Sequence, residues 1–465
     1  MRLMNGYTGV CFREASLRGC PRPRAPSGPL PRHTCATIGI AALLALGWSG
    51  PVGADESPLT LAEAQRIATL RSERIEAGDL GVSASKDLAK TAAERPDPVA
   101  KIGLENVPVN GSEAFSLQQD FMTMRSIGIM QEITRPSKLR ARAAESEQTV
   151  RLAEAKRAQA LVEVRRDSAL AWLDRYYAEA TQRTVTEQVQ AARLEVTAAE
   201  AAYRGGRGTA ADVLAARGAL AEFEDQALEA SRAVSTSRIA LARWVGDAAD
   251  RRLAGEPAID TIPLHKHTLD AQLQDHPEVV TLERREELAR AGAEVARADR
   301  SPDWSVELIY SARGTGYSNM ATLELTVPLQ IRRAYRQDPK LAAKLAEASQ
   351  AKAEREDMLR EHAADIAAAM DAWESSRERR DRYRTTIIPL AADRTVAARA
   401  AYQGGKATLN DLLSAHRAEI DARLKALELE ANAARLWAQL AFLTVPPDEV
   451  PPTPRPTSGS NGDLP

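Results

Sequence analysis

Past residue 54 the chain has no cysteine, because Cys11, Cys20 and Cys35 all lie before it. Neither a disulfide nor thiolate chemistry is open to the remainder. Aromatic residues make up only 4% of the 465, which suits long Ala-rich helices better than one large globular core. After residue 54 no apolar run approaches the ~20 residues that a bilayer-spanning helix needs. A basic surface is missing too. Six of the 62 basic residues and one of the 64 acidic residues fall in 1–54, so the rest carries a net charge of −7. That balance points away from a nucleic-acid partner. There is no phosphate-cradling Gly loop, nucleophile elbow or paired-cysteine motif, so neither a catalytic residue nor a cofactor is expected. His265-Lys-His267 sits in a Pro-containing stretch without a ligand cluster beside it. His276, His362 and His416 are scattered along the chain. A metal site usually needs three or four ligands, and none is expected.

Residues 1–54 read as an export leader. A basic, Pro-rich stretch ends near Arg32, an apolar run covers Ala36 to Trp48, and Pro51-Val-Gly-Ala54 offers a small-x-small cleavage site. Cys35 precedes the apolar run, so a lipid-anchored cysteine is not expected at the cleavage site.

The chain beyond the leader is a duplication. Ala201-Ala-Tyr-Arg-Gly-Gly-Arg-Gly-Thr-Ala-Ala-Asp-Val-Leu214 matches Ala400-Ala-Tyr-Gln-Gly-Gly-Lys-Ala-Thr-Leu-Asn-Asp-Leu-Leu413. Other landmarks recur at a similar spacing. Thr60-Leu61 and Thr268-Leu269 open helical stretches, Pro98 and Pro302 precede alternating segments, and Trp172 and Trp373 lie in the long helices after them. Each half reads as helix, two strands, very long helix, Gly turn, helix. The first repeat covers 55–246, with strands at about 98–107 and 121–133. Residues 247–266 form an extended link. The second repeat covers 267–445, with strands at about 303–313 and 320–329. A disordered Pro-rich tail covers 446–465.

From Ser137 to Tyr203 there is neither Pro nor Gly, and a helix of that length would measure ~100 Å. Val185, Val189, Ala192, Val196, Ala199 and Tyr203 alternate steps of four and three, a coiled-coil seam. Ile388, Ala391, Thr395, Ala398 and Tyr402 repeat it, with Pro389 bending the second rod. Gly205-Gly206 and Gly404-Gly405 end the rods and reverse the chain, and Thr209 and Thr408 cap the returning helices. In the strands Trp304, Val306, Leu308 and Tyr310 face one way, and Ser305, Glu307 and Ser311 the other; Ile309 breaks the pattern. Leu323, Leu325 and Val327 alternate with Thr322, Glu324 and Thr326, and Ala100, Ile102 and Leu104 with Lys101, Gly103 and Glu105. Alternation over about ten residues is the mark of a transmembrane β-strand, with Trp304 and Tyr310 placed for an aromatic girdle. Four strands cannot close a barrel, and lipid tolerates no open edge. Strands that span a membrane would therefore need other subunits to complete them.

The repeated Tyr-x-Gly-Gly-x-x-Thr-x-x-Asp-[Val/Leu]-Leu, the duplicated element order and the leader together resemble the TolC-like outer-membrane efflux family over nearly all of 57–445. The segment Ile127-Gly-Ile-Met-Gln-Glu-Ile-Thr-Arg-Pro-Ser-Lys-Leu-Arg-Ala-Arg142 looks like the strand-to-helix junction of its cation-efflux branch. The resemblance implies a mainly α protein with a small β part. It implies a homotrimer with a 12-stranded barrel in outer-membrane lipid, continuing into a helical tunnel across the periplasm of a Gram-negative bacterium. A periplasmic adaptor and an inner-membrane pump of the RND type are the implied partners. Gly205, Gly206, Arg207, Gly404, Gly405 and Lys406 become adaptor-facing tips. Asp212, Tyr402 and Asp411 become candidates for a periplasmic gate. Where many relatives carry an apolar residue beside the Gly, this chain has Arg207 and Lys406. For both aspartates the plainer role is a helix first-turn acid complementing the dipole. The runner-up reading is a periplasmic adaptor or coiled-coil scaffold, which shares the rods, tips and export.

Overall fold

A computed structural model describes residues 57–262 and 273–443. The leader, His265, His267, the Thr268-Leu269 helix start and the Pro-rich tail lie outside the described residues. Contacts divide the chain into Met1–Asp55 and Glu56–Pro465, and every described residue belongs to the second unit.

Two short helices come first, α1 (Leu61–Leu70) and α2 (Glu73–Thr91), each opened by a hydroxyl cap, Thr60 and Ser72. Strands β1 (Val99–Glu105) and β2 (Met124–Ile133) follow. The rod α3 (Pro136–Arg204) holds 69 residues, roughly 100 Å at 1.5 Å per residue. Its partner α4 (Ala210–Val245) returns along it. The second half repeats the order with α5 (Pro277–Ala298), β3 (Trp304–Ala312), β4 (Met320–Thr326), α6 (Arg333–Arg382), α7 (Ile388–Gln403) and α8 (Leu409–Ala441).

Between α6 and α7 the residues Tyr383–Ile387 form a π-turn. Pro389 has no N–H to give and crowds the carbonyl four residues back. A single π-turn just before it widens the backbone there and lets the rod continue. The π-turn carries Arg384, whose guanidinium reaches Glu430 Oε2 on α8 at 2.7 Å. Glu430 is also the acceptor for the buried Tyr177 hydroxyl of α3, at 3.4 Å.

One expectation is corrected at the link. Residues 247–250 are not extended: Gly246–Asp250 make a 3-10 turn. Gly246 takes φ +63°, and a Cβ there would strike the Arg71 guanidinium at 2.8 Å. The tight turn redirects the chain so that Leu253 pairs with Leu59 in a parallel bridge.

That bridge sits in the main core, where the two landmark tryptophans meet. Trp172 donates its indole N–H to the Leu59 carbonyl at 3.0 Å, and Trp373 donates to the Ile259 carbonyl at 3.2 Å. Each rod therefore holds an extended segment of chain by the same device, an apolar ring with one polar edge. Leu59, Leu241, Ala433 and Ala434 close around them, fully buried. Trp172→Phe should cost about 0.5–1.5 kcal/mol for the lost hydrogen bond, because the Leu59 carbonyl keeps the Ala254 N–H at 3.3 Å. Trp172→Ala should cost about 3–5 kcal/mol. Thermal unfolding of the purified variants checks the order; equal effects would mean that the indole N–H contributes nothing.

Candidate functional site

The four strands form one sheet in the order β1-β2-β3-β4, antiparallel throughout. Each half supplies a strand pair, and β2 and β3 join them, with Ile127 opposite Tyr310 and Ile129 opposite Leu308. The polarity of this sheet is inverted for water. Rows of apolar side chains run across the exposed face: Ala100, Ile129, Leu308 and Leu323 in one, Ile102, Ile127 and Tyr310 in the next. Ile102 is 86% exposed and Leu323 74%, whereas Glu307 is 9% and Ser311 5% exposed. A globular sheet would do the reverse, since each large aliphatic side chain left in water forfeits about 1.5–3 kcal/mol of burial.

The sheltered face is polar and internally paired. Lys101 Nζ meets Glu307 Oε2 at 2.5 Å, beside the like-charged Glu324 directly opposite Glu307 in register. Asp303, just ahead of β3, accepts from Lys138 Nζ at 2.7 Å and from the Arg135 backbone N–H at 3.1 Å. Pro136 opens α3 between those two donors. Asp303 and Glu307 thus each hold a lysine. Ile309, the exception in the alternation, lies opposite Gly128; a Cβ on Gly128 would come within 3.2 Å of Ile309 Cγ1. Both outer edges of the sheet, on β1 and β4, have no strand partner among the described residues.

At the far end of the rods the two tips are built alike. Gly205 and Gly404 are helix caps with φ near −80°, while Gly206 and Gly405 take φ +69° and +68°. The Arg207 N–H reaches the Ala202 carbonyl at 2.9 Å and the Gly206 N–H the Tyr203 carbonyl at 3.1 Å; Lys406 and Gly405 do the same with Ala401 and Tyr402. This is a Schellman ending, which needs the left-handed residue at one place only. Arg207 and Lys406 are exposed.

The returning helices begin with full capping boxes. Thr209 accepts from the Asp212 N–H, and the Asp212 carboxylate accepts from the Thr209 N–H and hydroxyl, both at 2.8 Å. Thr408 and Asp411 match them. The Thr backbone N–H, then the Thr hydroxyl, hold each carboxyl below the usual aspartate range. The plainer role expected for these acids is thus present within one chain.

The repeated tyrosines differ. Tyr203 is exposed, whereas Tyr402 is half-buried against Ala199, Ala216, Leu409 and Leu412, a cluster shared by both tips. Tyr203 therefore leaves the seam that its spacing predicts. It lines, with Val213 and Leu214, a shallow groove of about 380 Å³ at the first tip. Trp304 and Tyr310 both reach the exposed face of the sheet, and the Tyr310 hydroxyl accepts from Asn319 Nδ2 at 2.7 Å.

The histidines are not scattered in space. His276 and His362 stack with ring centroids 4.6 Å apart, and His362 Nε2 lies 3.2 Å from Glu278 Oε2. Burial, then His362, then Arg166 push the His276 imidazole down to about 4. His416 is elsewhere, 2.7 Å from Glu195 across the rods. Separations of 86 and 84 residues hid the first cluster; His276-x-Glu278 at a helix start was the only local signal.

A sheet that is apolar outside, polar inside and, among the described residues, unfinished at both edges has the form of a β-barrel wall segment with a helical extension. Residues 112–247 match the model of the outer membrane efflux protein family. Among solved structures, VceC of Vibrio cholerae is similar at 20% identity and TM-score 0.69, covering 82% of this chain and 95% of VceC. CmeC of Campylobacter jejuni gives 14% and 0.69 with coverage of 82% and 85%. The open state of MtrE of Neisseria gonorrhoeae gives 17% and 0.66 with coverage of 82% and 88%. At such identities the likeness speaks for the fold. No curated protein matches by sequence. The TolC-like resemblance read from the tip motif is met by the fold and by the family match together.

The geometry separates the paired glycines. Gly206→Ala should loosen the tip, because a left-handed Ala costs roughly 1–2 kcal/mol, while Gly205→Ala should be close to neutral. Hydrogen–deuterium exchange over residues 200–212 checks this; equal protection in both variants would contradict the Schellman assignment.

Proposed function

We propose that the chain is one subunit of a trimeric outer-membrane channel that carries cargo passively from a periplasmic adaptor and an inner-membrane pump to the exterior. The sheet is the observation that carries this reading. Its exposed rows match lipid, and its free edges call for neighbours, since unpaired backbone groups in hydrocarbon cost several kcal/mol each. Three copies of four strands make twelve, above the roughly eight that a small barrel needs. In this reading Trp304 and Tyr310 sit at the two membrane interfaces, and the rods continue the lumen into the periplasm. Arg207 and Lys406, with their glycines, meet the adaptor. The channel performs no chemistry; an RND-type pump supplies the energy and selects the cargo, metal cations included. Among the described residues no helix is long and apolar enough to cross a membrane.

The alternative, a soluble adaptor or scaffold, leaves the exposed apolar rows unexplained. Cell fractionation separates the two. A channel stays with the outer membrane until detergent is added, and chemical cross-linking in detergent yields a three-subunit species. Release by osmotic shock as a single chain would end the proposal.

The gate reading of Asp212, Tyr402 and Asp411 makes a further demand. If Asp212 holds the trimer's tips together by charge, Asp212→Ala and Asp212→Asn should both raise single-channel conductance in planar bilayers. Asn keeps an acceptor for the Thr209 N–H. A conductance raised only by Ala would assign Asp212 to the cap, and unchanged conductance in both variants would remove it from the gate.

A further inference from the structure

The cluster at the start of α5 is independent of the channel reading. His276 is the N-cap residue of that helix, and Pro277 and Glu278 are its first two residues. His362 projects from the middle of α6. One ring nitrogen from each histidine and one Glu278 carboxylate oxygen all lie within 4.8 Å of one another. The His276 Nδ1 is buried and has no hydrogen-bond partner among the described residues. A buried polar atom left in that state destabilises the fold, and at this N-cap position the ring makes no side-chain cap bond. His276 therefore carries a buried, unpartnered nitrogen on a ring that a second imidazole and a carboxylate already approach.

We propose that His276, Glu278 and His362 bind a divalent transition-metal ion, with water completing the coordination. Two imidazoles and one carboxylate are a donor set that tetrahedral Zn²⁺ accepts. Bonds of ~2.0–2.1 Å place tetrahedral ligand atoms roughly 3.4 Å apart. The His362–Glu278 pair already stands at 3.2 Å, and side-chain rotation closes the remaining separations.

The surroundings narrow the choice of ion. Arg166 acts on His276 through its charge, and the positive end of the α5 dipole lies at the same place. Both oppose any cation, so binding depends on covalent donor strength rather than on field. That favours the late first-row ions, Zn²⁺ and Cu²⁺ above all, over Mg²⁺ or Ca²⁺, which look for carboxylates and carbonyls. The ion would clip the start of α5 to α6, between the main core and the strands of the second half.

The test uses the full chain, purified in detergent without a polyhistidine tag and stripped with chelator. Zn²⁺ titrated against a chromophoric chelator should bind at about one equivalent per chain at this site. Co²⁺ should give visible tetrahedral absorption bands that Zn²⁺ bleaches, while Mg²⁺ leaves them untouched. His276→Ala, and His362→Phe, which keeps a ring packed on His276, should each abolish the bands and weaken Zn²⁺ binding by about 100-fold or more, ligand loss exceeding the 10–100-fold typical of outer-shell changes. Glu278→Gln, nearly equal in shape, should also lose the bands with circular dichroism unchanged. No Zn²⁺ uptake by the wild-type chain would overturn the proposal. So would uptake that survives in the His276→Ala/His362→Phe double variant, which puts the ion elsewhere, or Mg²⁺ competing as well as Zn²⁺.

Discussion

The architecture depends on a sheet whose apolar side has no protein to lie against. Residues such as Ile102, Ile129, Leu308 and Leu323 face outward, and Lys101, Glu307, Ser126 and Ser311 face inward. Water would penalise that arrangement and lipid rewards it. The outer edges of β1 and β4 have no strand partner among the described residues. Everything below the sheet serves to hold those four strands side by side.

The duplication supplies the means. Two copies of one plan each bring a strand pair and a rod, and their joint core forms where the rods grip the extended segments through Trp172 and Trp373. The polar staple at Asp303, Lys138 and Arg135 ties the start of the first rod to the start of β3. The copies have also diverged. Only the second rod carries prolines beyond its first turn, Pro339 and Pro389, with a π-turn just before Pro389, and there an arginine reaches the buried Glu430. At the tips Tyr402 packs into the shared cluster while Tyr203 stays outside it.

Much of this was legible because it is periodic or local. Alternation over β3, the absence of breakers through α3, the Gly pairs and the Thr-x-x-Asp caps are written within a few residues of one another. Local chemistry also explains why the twin glycines are not equivalent, although only the dihedral angles assign the left-handed place to Gly206 and Gly405. Gly255, Pro257 and Pro263 dominate the composition of the link and predict extended chain throughout, whereas Gly246 sets a 3-10 turn over its first residues, 247–250. Lys101 with Glu307, and His276 with His362, are joined across 206 and 86 positions, and nothing in a sequence window connects them.

By itself the sequence determined the repeat, the length of the rods, the hand-back at each tip and which face of each strand is apolar. Those properties stem from side-chain spacing and backbone preference, which act over a turn or two of chain. The tertiary structure alone decided that β2 pairs with β3, that the apolar face stays uncovered, that Glu307 pairs with Lys101, and that Glu278 and two histidines come together. Such contacts arise when distant segments are packed together, and their energies depend on distance and burial rather than on order along the chain.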